Sequence, residues 1–370
     1  MSRGTRIGAG TRRSAGTQRS AGAQTSAGTF IISRTDAIGD VVLTLPMAGV
    51  LRSLYPSARI LFLGRSYTKD IIAACKYIDG FLNWDEWRGL SVGEAAAAMA
   101  ATGAGCIIHV FPDKAIARVA LKARIAERIG TTNRIYHWWT CNVLVRLSRR
   151  NSPYHEAQLN LRLLAPVGGQ SEYSSEEIGG YYGLTRLAPL PPEIEGLLDP
   201  ERFNLILQPK SRGSAREWGL ENFRRLIASL PTERYKVFVS GTAAEGQLVA
   251  PLFSKYPAVT DLTGRLTLAQ LITFISKADG LIAASTGPLH LAAALGIHAM
   301  GIYPPIRPMH PGRWAPVGPN ARVFVKAEYC EDCKVSADCH CIREIPPQVV
   351  EDYLESLRRG RKDVLTGPGK

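Results

Sequence analysis

From Phe30 onward, short apolar runs alternate with stretches whose apolar positions recur at helical spacing. "FIISR" precedes a helical pattern over 41–55, and "ARILFLG" precedes "KDIIAACKYI". "FLNWD" is followed by the alanine-rich 93–101 stretch, and "CIIHVF" by a basic helix near 115–129. Short apolar strands separated by helices predict a parallel sheet covered by helices on both faces. A second series starts after the proline-rich segment 187–200, with "FNLILQP", "YKVFVSG", "GLIAAS" and "HAMGIY" as its strands.

The pattern therefore predicts an α/β protein of two similar doubly wound domains facing a cleft. The expected boundaries are a low-complexity tail over 1–29, a Rossmann-like domain over 30–186, a linker over 187–200, a second Rossmann-like domain over 201–345, and a helix with a basic tail over 346–370. Ligands of such sheets bind beyond the carboxyl ends of the strands.

Composition changes this picture little. A chain of 370 residues, 45% hydrophobic and 21% charged, has enough apolar material for two cores. Of the net charge of +13, five units come from arginines in the acid-free 1–29 stretch and four from 358–370. The first segment repeats "RSAGTQ", "RSAGAQ" and "TSAGT", offers little apolar area against chain entropy, and is expected to be disordered. A misassigned start codon is its other reading. The charge-poor stretches 95–111 and 280–306 are interrupted by glycine, and the second also by proline, so neither predicts a membrane helix. A cytoplasmic location is expected.

Residues 114–150 carry nine Lys or Arg against Glu127 alone. Such a stretch suits phosphates, nucleic acid or an anionic membrane surface, and equally a solvated helix face. Trp138 and Trp139 beside it fit a membrane interface or core filling. Peripheral association with a membrane surface is the expectation, and no nucleic acid is expected.

Four loops carry the candidate chemistry. In "ASTGPLHLAAALG", a strand ends at Ser285-Thr286-Gly287, and Pro288 opens a helix whose free N–H groups suit a diphosphate. His290 lies within its first turn. The plainer reading is a Thr-capped buried helix with a satisfied core histidine. In "QPKSRGSAREWG", Lys210, Ser211 and Arg216 concentrate cations and hydroxyls, and Arg216 suits bidentate phosphate recognition. In "SGTAAEG", Glu245 is placed to accept ribose hydroxyls, or simply to begin a helix. At the end of the first strand, "TDAIGDVVLTLP" places Asp40 in a helical first turn, with Asp36 as its competitor. The helix dipole is expected to lower the pKa of Asp40 and keep it ionised. Neither a Walker A motif nor G-x-G-x-x-G is present.

Cys330, Cys333, Cys339 and Cys341 cluster near the C-terminus. Four thiolates suit a structural zinc or iron site, and reduced thiols are the alternative. The odd total of seven cysteines argues against a secreted disulfide framework.

Together, "RTDAIGDVVLTLP", "QPKSRGSAREWGLENF", "VSGTAAEG", "LTGRLTLAQLITFISKAD" and "STGPLHLAAALG" resemble glycosyltransferase family 9, the ADP-heptose:lipopolysaccharide heptosyltransferases, over roughly residues 30–355. The resemblance implies a GT-B fold and inverting transfer of a sugar, usually heptose from ADP-heptose, to a lipopolysaccharide inner-core or related glycan, without a catalytic cofactor. Asp40 matches the family's base and Arg216 a basic residue on the donor diphosphate. Glu245 matches the acid on the ribose, and Thr286, Gly287 and His290 the phosphate turn. Ser285 stands where the family usually has an aspartate touching the transferred sugar, which bears on donor identity. Lys210 and Ser211 replace a Pro-Gly turn and add a cation. The rival readings are a same-fold transferase for another nucleotide sugar and a non-catalytic nucleotide-sugar-binding protein.

Overall fold

In the computed structural model, Phe30, Ile31 and Ile32 of the first strand are fully enclosed, as an apolar strand between two helical layers must be. The described residues are 28–366, without 151, 254, 308, 327–329 and 331–339; most of the expected N-terminal tail lies outside them. Two six-stranded parallel sheets form the scaffold. The first contains β1 (Thr29–Ser33), β2 (Arg59–Gly64), β3 (Gly80–Asn83), β4 (Ala104–His109), β5 (Glu127–Thr131) and β6 (Val143–Val145), in the order β3-β2-β1-β4-β5-β6. The second contains β7 (Phe203–Gln208), β8 (Tyr235–Val239), β9 (Thr260–Asp261), β10 (Gly280–Ala284), β11 (His298–Ile302) and β12 (Ala321–Phe324), in the order β12-β11-β10-β7-β8-β9.

Each order reverses beside its first strand, between β1 and β4 and between β7 and β10. Loops leaving such a pair diverge to opposite faces and open a crevice at the strand ends. The loops after β1, β7, β8 and β10 are the ones singled out from sequence.

The halves meet through apolar surface. One buried cluster joins Val41, Val42 and Ile71 of the first half to Phe274, Leu289 and Leu291 of the second. The helix Leu268–Lys277 begins at a capping box in which Thr267 and Gln270 exchange hydrogen bonds at 2.9 and 3.2 Å. Its Ala269 N–H also donates across the junction to Asp70 at 3.2 Å. Between β6 and β7 the chain passes through the short helices Glu156–Leu161, Ser175–Gly179 and Pro192–Glu195. The long C-terminal helix Pro347–Thr366 buries Val350 and Leu354 in the core of the second half. No helix among the described residues is long and apolar enough to cross a membrane.

Candidate functional site

A cavity of about 950 Å³ opens between the two sets of strand ends. Asp40, Lys210, Ser211, Arg216, Glu245, Ser285, Thr286, Gly287 and His290 all line it. Asp36 does not, which separates the two aspartates that the sequence leaves in competition.

Asp40 belongs to the first turn of the short helix Ile38–Val42, whose N-cap residue Ala37 offers no side-chain cap. Its carboxylate is 18% exposed and is ion-paired with Arg34 Nη2. Arg34 also donates from Nε to Asp36 at 2.6 Å and from Nη1 to Glu156 at 3.0 Å. The expected lowering of the Asp40 pKa is overturned: it is pushed up to about 6. Burial is the largest cause; the Arg34 charge opposes it, while Asp36 and Glu156 add repulsion. A helix of five residues has too small a dipole to outweigh that desolvation. The consequence is favourable, since a carboxylate titrating near 6 is a stronger base than an ordinary aspartate.

Opposite it, Thr286 is the N-cap of the helix Gly287–Ala294, with Pro288 in the first turn. The plainer reading of a Thr-capped helix does not hold: the side chain makes no capping bond, and its buried Oγ1 has no partner among the described residues. Buried His290 likewise leaves Nδ1 without a partner. Burial pushes its pKa down to about 3, so it meets the cavity as a neutral imidazole rather than a cation. Nε of Arg216 is a third buried polar atom without a partner among the described residues. Three such atoms on one cavity wall call for a polar ligand, because an unmet buried hydrogen-bonding group costs about 1–3 kcal/mol.

The loop after β7 turns tightly, with Arg212 and Gly213 at φ +52° and +79°. Lys210 is ion-paired with Glu217. The Ser211 N–H donates to the same carboxylate at 2.9 Å, and Ser211 Oγ lies 3.0 Å from it. The expected extra cation is therefore largely neutralised within its own loop. Glu245 is buried and accepts from the Thr242 N–H at 2.7 Å and from Thr242 Oγ1 at 3.0 Å, closing its helix start. Ser285 is half-buried in the cavity lining, and the Tyr303 hydroxyl donates to the Trp314 carbonyl.

Sequence reasoning missed Arg34, Glu156, Arg313 and Glu217. Arg34 and Glu217 had a local signal, since both lie inside the quoted motif stretches. Glu156 and Arg313 had none. Trp138 and Trp139 are 59% and 70% exposed, which removes the core-filling reading. Not all of the basic stretch faces water: Arg149 turns inward to Glu156, and Arg128 donates to the Thr140 carbonyl at 2.8 Å. Cys330 and Cys341 lie half-buried against the second core, while Cys333 and Cys339 fall outside the described residues. No group of three or more potential metal ligands occurs among the described residues.

The chain is similar to known proteins in sequence and in fold. The family model described as glycosyltransferase family 9 (heptosyltransferase) matches residues 150–341. A putative glycosyltransferase of Haemophilus influenzae is 24% identical over 319 residues, covering 78% of this chain and 85% of the relative. The crystal structure of a family 9 glycosyltransferase from Veillonella parvula superposes with a TM-score of 0.75 at 18% identity, over 90% of this chain and 97% of that one. The ADP-heptose lipopolysaccharide heptosyltransferase II of Escherichia coli superposes with a TM-score of 0.71 at 17% identity, over 90% and 99%. A family match across more than half of the sequence, on two facing parallel α/β sheets, establishes that the chain belongs to glycosyltransferase family 9, the heptosyltransferase family, and is a glycosyltransferase of GT-B fold.

Proposed function

We propose that the protein transfers heptose from ADP-heptose, with inversion, to a lipopolysaccharide inner-core or related glycan acceptor. The observation that carries this reading is the cavity itself. It sets a carboxylate of raised pKa on one wall against buried polar atoms of Arg216, Thr286 and His290 that have no partner among the described residues. The name of the E. coli structural neighbour, an ADP-heptose heptosyltransferase, supports the choice of donor.

The chemistry follows from where charge develops. As the bond from the anomeric carbon to the donor diphosphate breaks, its electron pair stays on the diphosphate oxygen, and the carbon gains oxocarbenium character. Arg216 and the first-turn N–H groups of the Gly287–Ala294 helix stabilise the leaving diphosphate. Asp40 takes the proton of the acceptor hydroxyl as that oxygen attacks the opposite face, which inverts the centre. Glu245 is assigned to the ribose hydroxyls, and Ser285 and the Lys210–Ser211 turn to the donor's sugar-phosphate end. The apolar junction keeps bulk water from competing with the acceptor. None of these steps uses a cofactor.

In this reading the half built on β1–β6, residues 30–186, receives the acceptor, and residues 201–345 hold the donor. Exposed Ile135, Trp138 and Trp139 beside Arg134 support peripheral attachment to an anionic membrane on its cytoplasmic face. The cysteine cluster has two readings, a structural zinc or iron site and reduced thiols; elemental analysis of the purified protein decides between them.

The test is a thermal-shift panel of ADP, UDP, GDP, CDP and their sugars. Ligand at about 100 times its Kd adds roughly 2.7 kcal/mol of stability. An ADP-selective shift supports the assignment. Selectivity for another nucleotide would favour a same-fold transferase of different donor, the second reading that Ser285 motivates. No shift at all would overturn the nucleotide-sugar assignment.

A further inference from the structure

Glu156 has a side chain only 1% exposed, and three guanidiniums share its charge. Its Oε1 accepts from Arg34 Nη1 at 3.0 Å and from Arg149 Nε at 2.9 Å, and its Oε2 accepts from Arg313 Nη2. Asn160, one turn further on, accepts from the same Arg34 Nη1 at 3.1 Å and from Arg149 Nη2 at 2.9 Å. The other Arg34 nitrogens hold Asp36 and Asp40. Three cations thus meet three carboxylates, as a region with little water requires.

Arg313 comes from the second half, 157 residues after Glu156. Its Nη1 donates to the Arg149 carbonyl at 2.7 Å, and next to it His155 Nε2 lies 2.9 Å from the Ala315 carbonyl. A continuous path of ion pairs therefore runs from the donor-side half through Glu156 and Arg34 to Asp40.

We propose that Glu156 is a positioning residue that divides Arg34 between itself and Asp40, and that Arg313 sets this division when the second half closes on the first. The inference rests on the reading of Asp40 as the base. With Arg313 on Oε2, Glu156 exerts less pull on Arg34, and Asp40 keeps more of its counter-charge. Without Arg313, Glu156 draws Arg34 toward itself, and Asp40 holds its proton more tightly. Closure thereby prepares the carboxylate in the arrangement in which the donor wall is complete. The charged and titratable groups facing Asp40 are few. Arg34 and Asp36 come from its own loop, and Tyr67 comes from the loop after β2 with its hydroxyl on the Asp36 carbonyl. Glu156 stands behind Arg34, and neutral His290 packs from the other half against Gly39, the residue before Asp40.

The experiment is a carboxyl-carbon NMR titration of the full chain labelled at aspartate, with the Asp40 signal assigned from Asp40→Asn. Arg313→Met is expected to raise the Asp40 midpoint and Glu156→Gln to lower it, each by about half a pH unit or more. Arg313→Lys, which keeps the cation, should restore the wild-type value. Affinity for ADP should be unchanged in Glu156→Gln. Unmoved midpoints in the folded variants, or shifts in the same direction, would overturn the coupling. If Glu156→Gln does not fold, the Arg313 pair decides alone. The two readings fail separately: full transfer by Asp40→Asn would remove the base role whatever the midpoints do, whereas static midpoints remove the coupling even if Asp40→Asn is inactive.

Discussion

Gly287 lies so close to Ile38 that a Cβ on the glycine would stand 2.3 Å from Cγ2 of Ile38 and 2.8 Å from its Cβ. The two residues belong to opposite halves, and Ile38 opens the turn that carries Asp40. The same approach repeats alongside, where a Cβ at Gly39 would stand 2.9 Å from Cδ2 of His290. Glycine at these positions sets the width of the cleft.

Gly287→Ala should therefore separate the two halves rather than unfold either. Overpacking of this kind costs about 1–3 kcal/mol, and transfer is expected to fall at least about tenfold. Adding Ile38→Ala relieves the 2.3 Å contact but not the 2.8 Å one, so recovery should be partial. Steady-state transfer measured with thermal unfolding of the same samples checks this. A fully active Gly287→Ala enzyme would refute it.

Asp40→Asn should lower the transfer rate by about 10²–10⁴-fold. In the wild-type protein the base works ionised, so the rate should rise with pH through about 6 and level above it. Stability has the opposite sign. Because folded Asp40 binds its proton more tightly than the unfolded chain does, its contribution is present below 3.8 and is lost as pH rises through about 6. Asp40→Asn should accordingly gain in Tm relative to wild type at about pH 8 and not at about pH 4. Initial rates and melting curves across this range test both halves of the statement.

Arg216→Ala removes a donor whose Nε finds no partner among the described residues. A charge-assisted hydrogen bond to phosphate is worth about 2 kcal/mol, so affinity for ADP should fall roughly 30-fold. Calorimetry gives the number directly. A Kd within twofold of wild type would remove Arg216 from the diphosphate site.

Trp138→Ser combined with Trp139→Ser should abolish sedimentation with vesicles containing anionic phospholipid, while ADP binding stays intact. Both side chains are mostly exposed and lie away from the cavity lining, so their removal should not disturb the donor pocket. Vesicle binding that survives the double substitution would place the membrane contact elsewhere.

The two-sheet fold was legible because its signal is local. Phe30–Ile32 and Leu281–Ala284 must be apolar to lie between helical layers, and helical periodicity between such strands leaves a parallel sheet as the answer. The cavity-lining loops were legible for a related reason. A parallel strand ends at a crevice, so Ser285–Gly287 and Lys210–Arg216 announced their position by following apolar strands directly.

What the chain alone determined, then, was which residues stand at the strand ends. Only the tertiary structure decided their electrostatic state. The pKa of Asp40 depends on burial and on Arg34, Asp36 and Glu156, and the last is 122 residues from Arg34. Arg313 reaches Glu156 from 157 residues away. Even within one loop, the pairing of Lys210 with Glu217 depended on a turn through left-handed Arg212 and Gly213. Residue types follow from local burial and can be read along the chain. Fields and desolvation sum over neighbours in space, and folding alone assembles those neighbours.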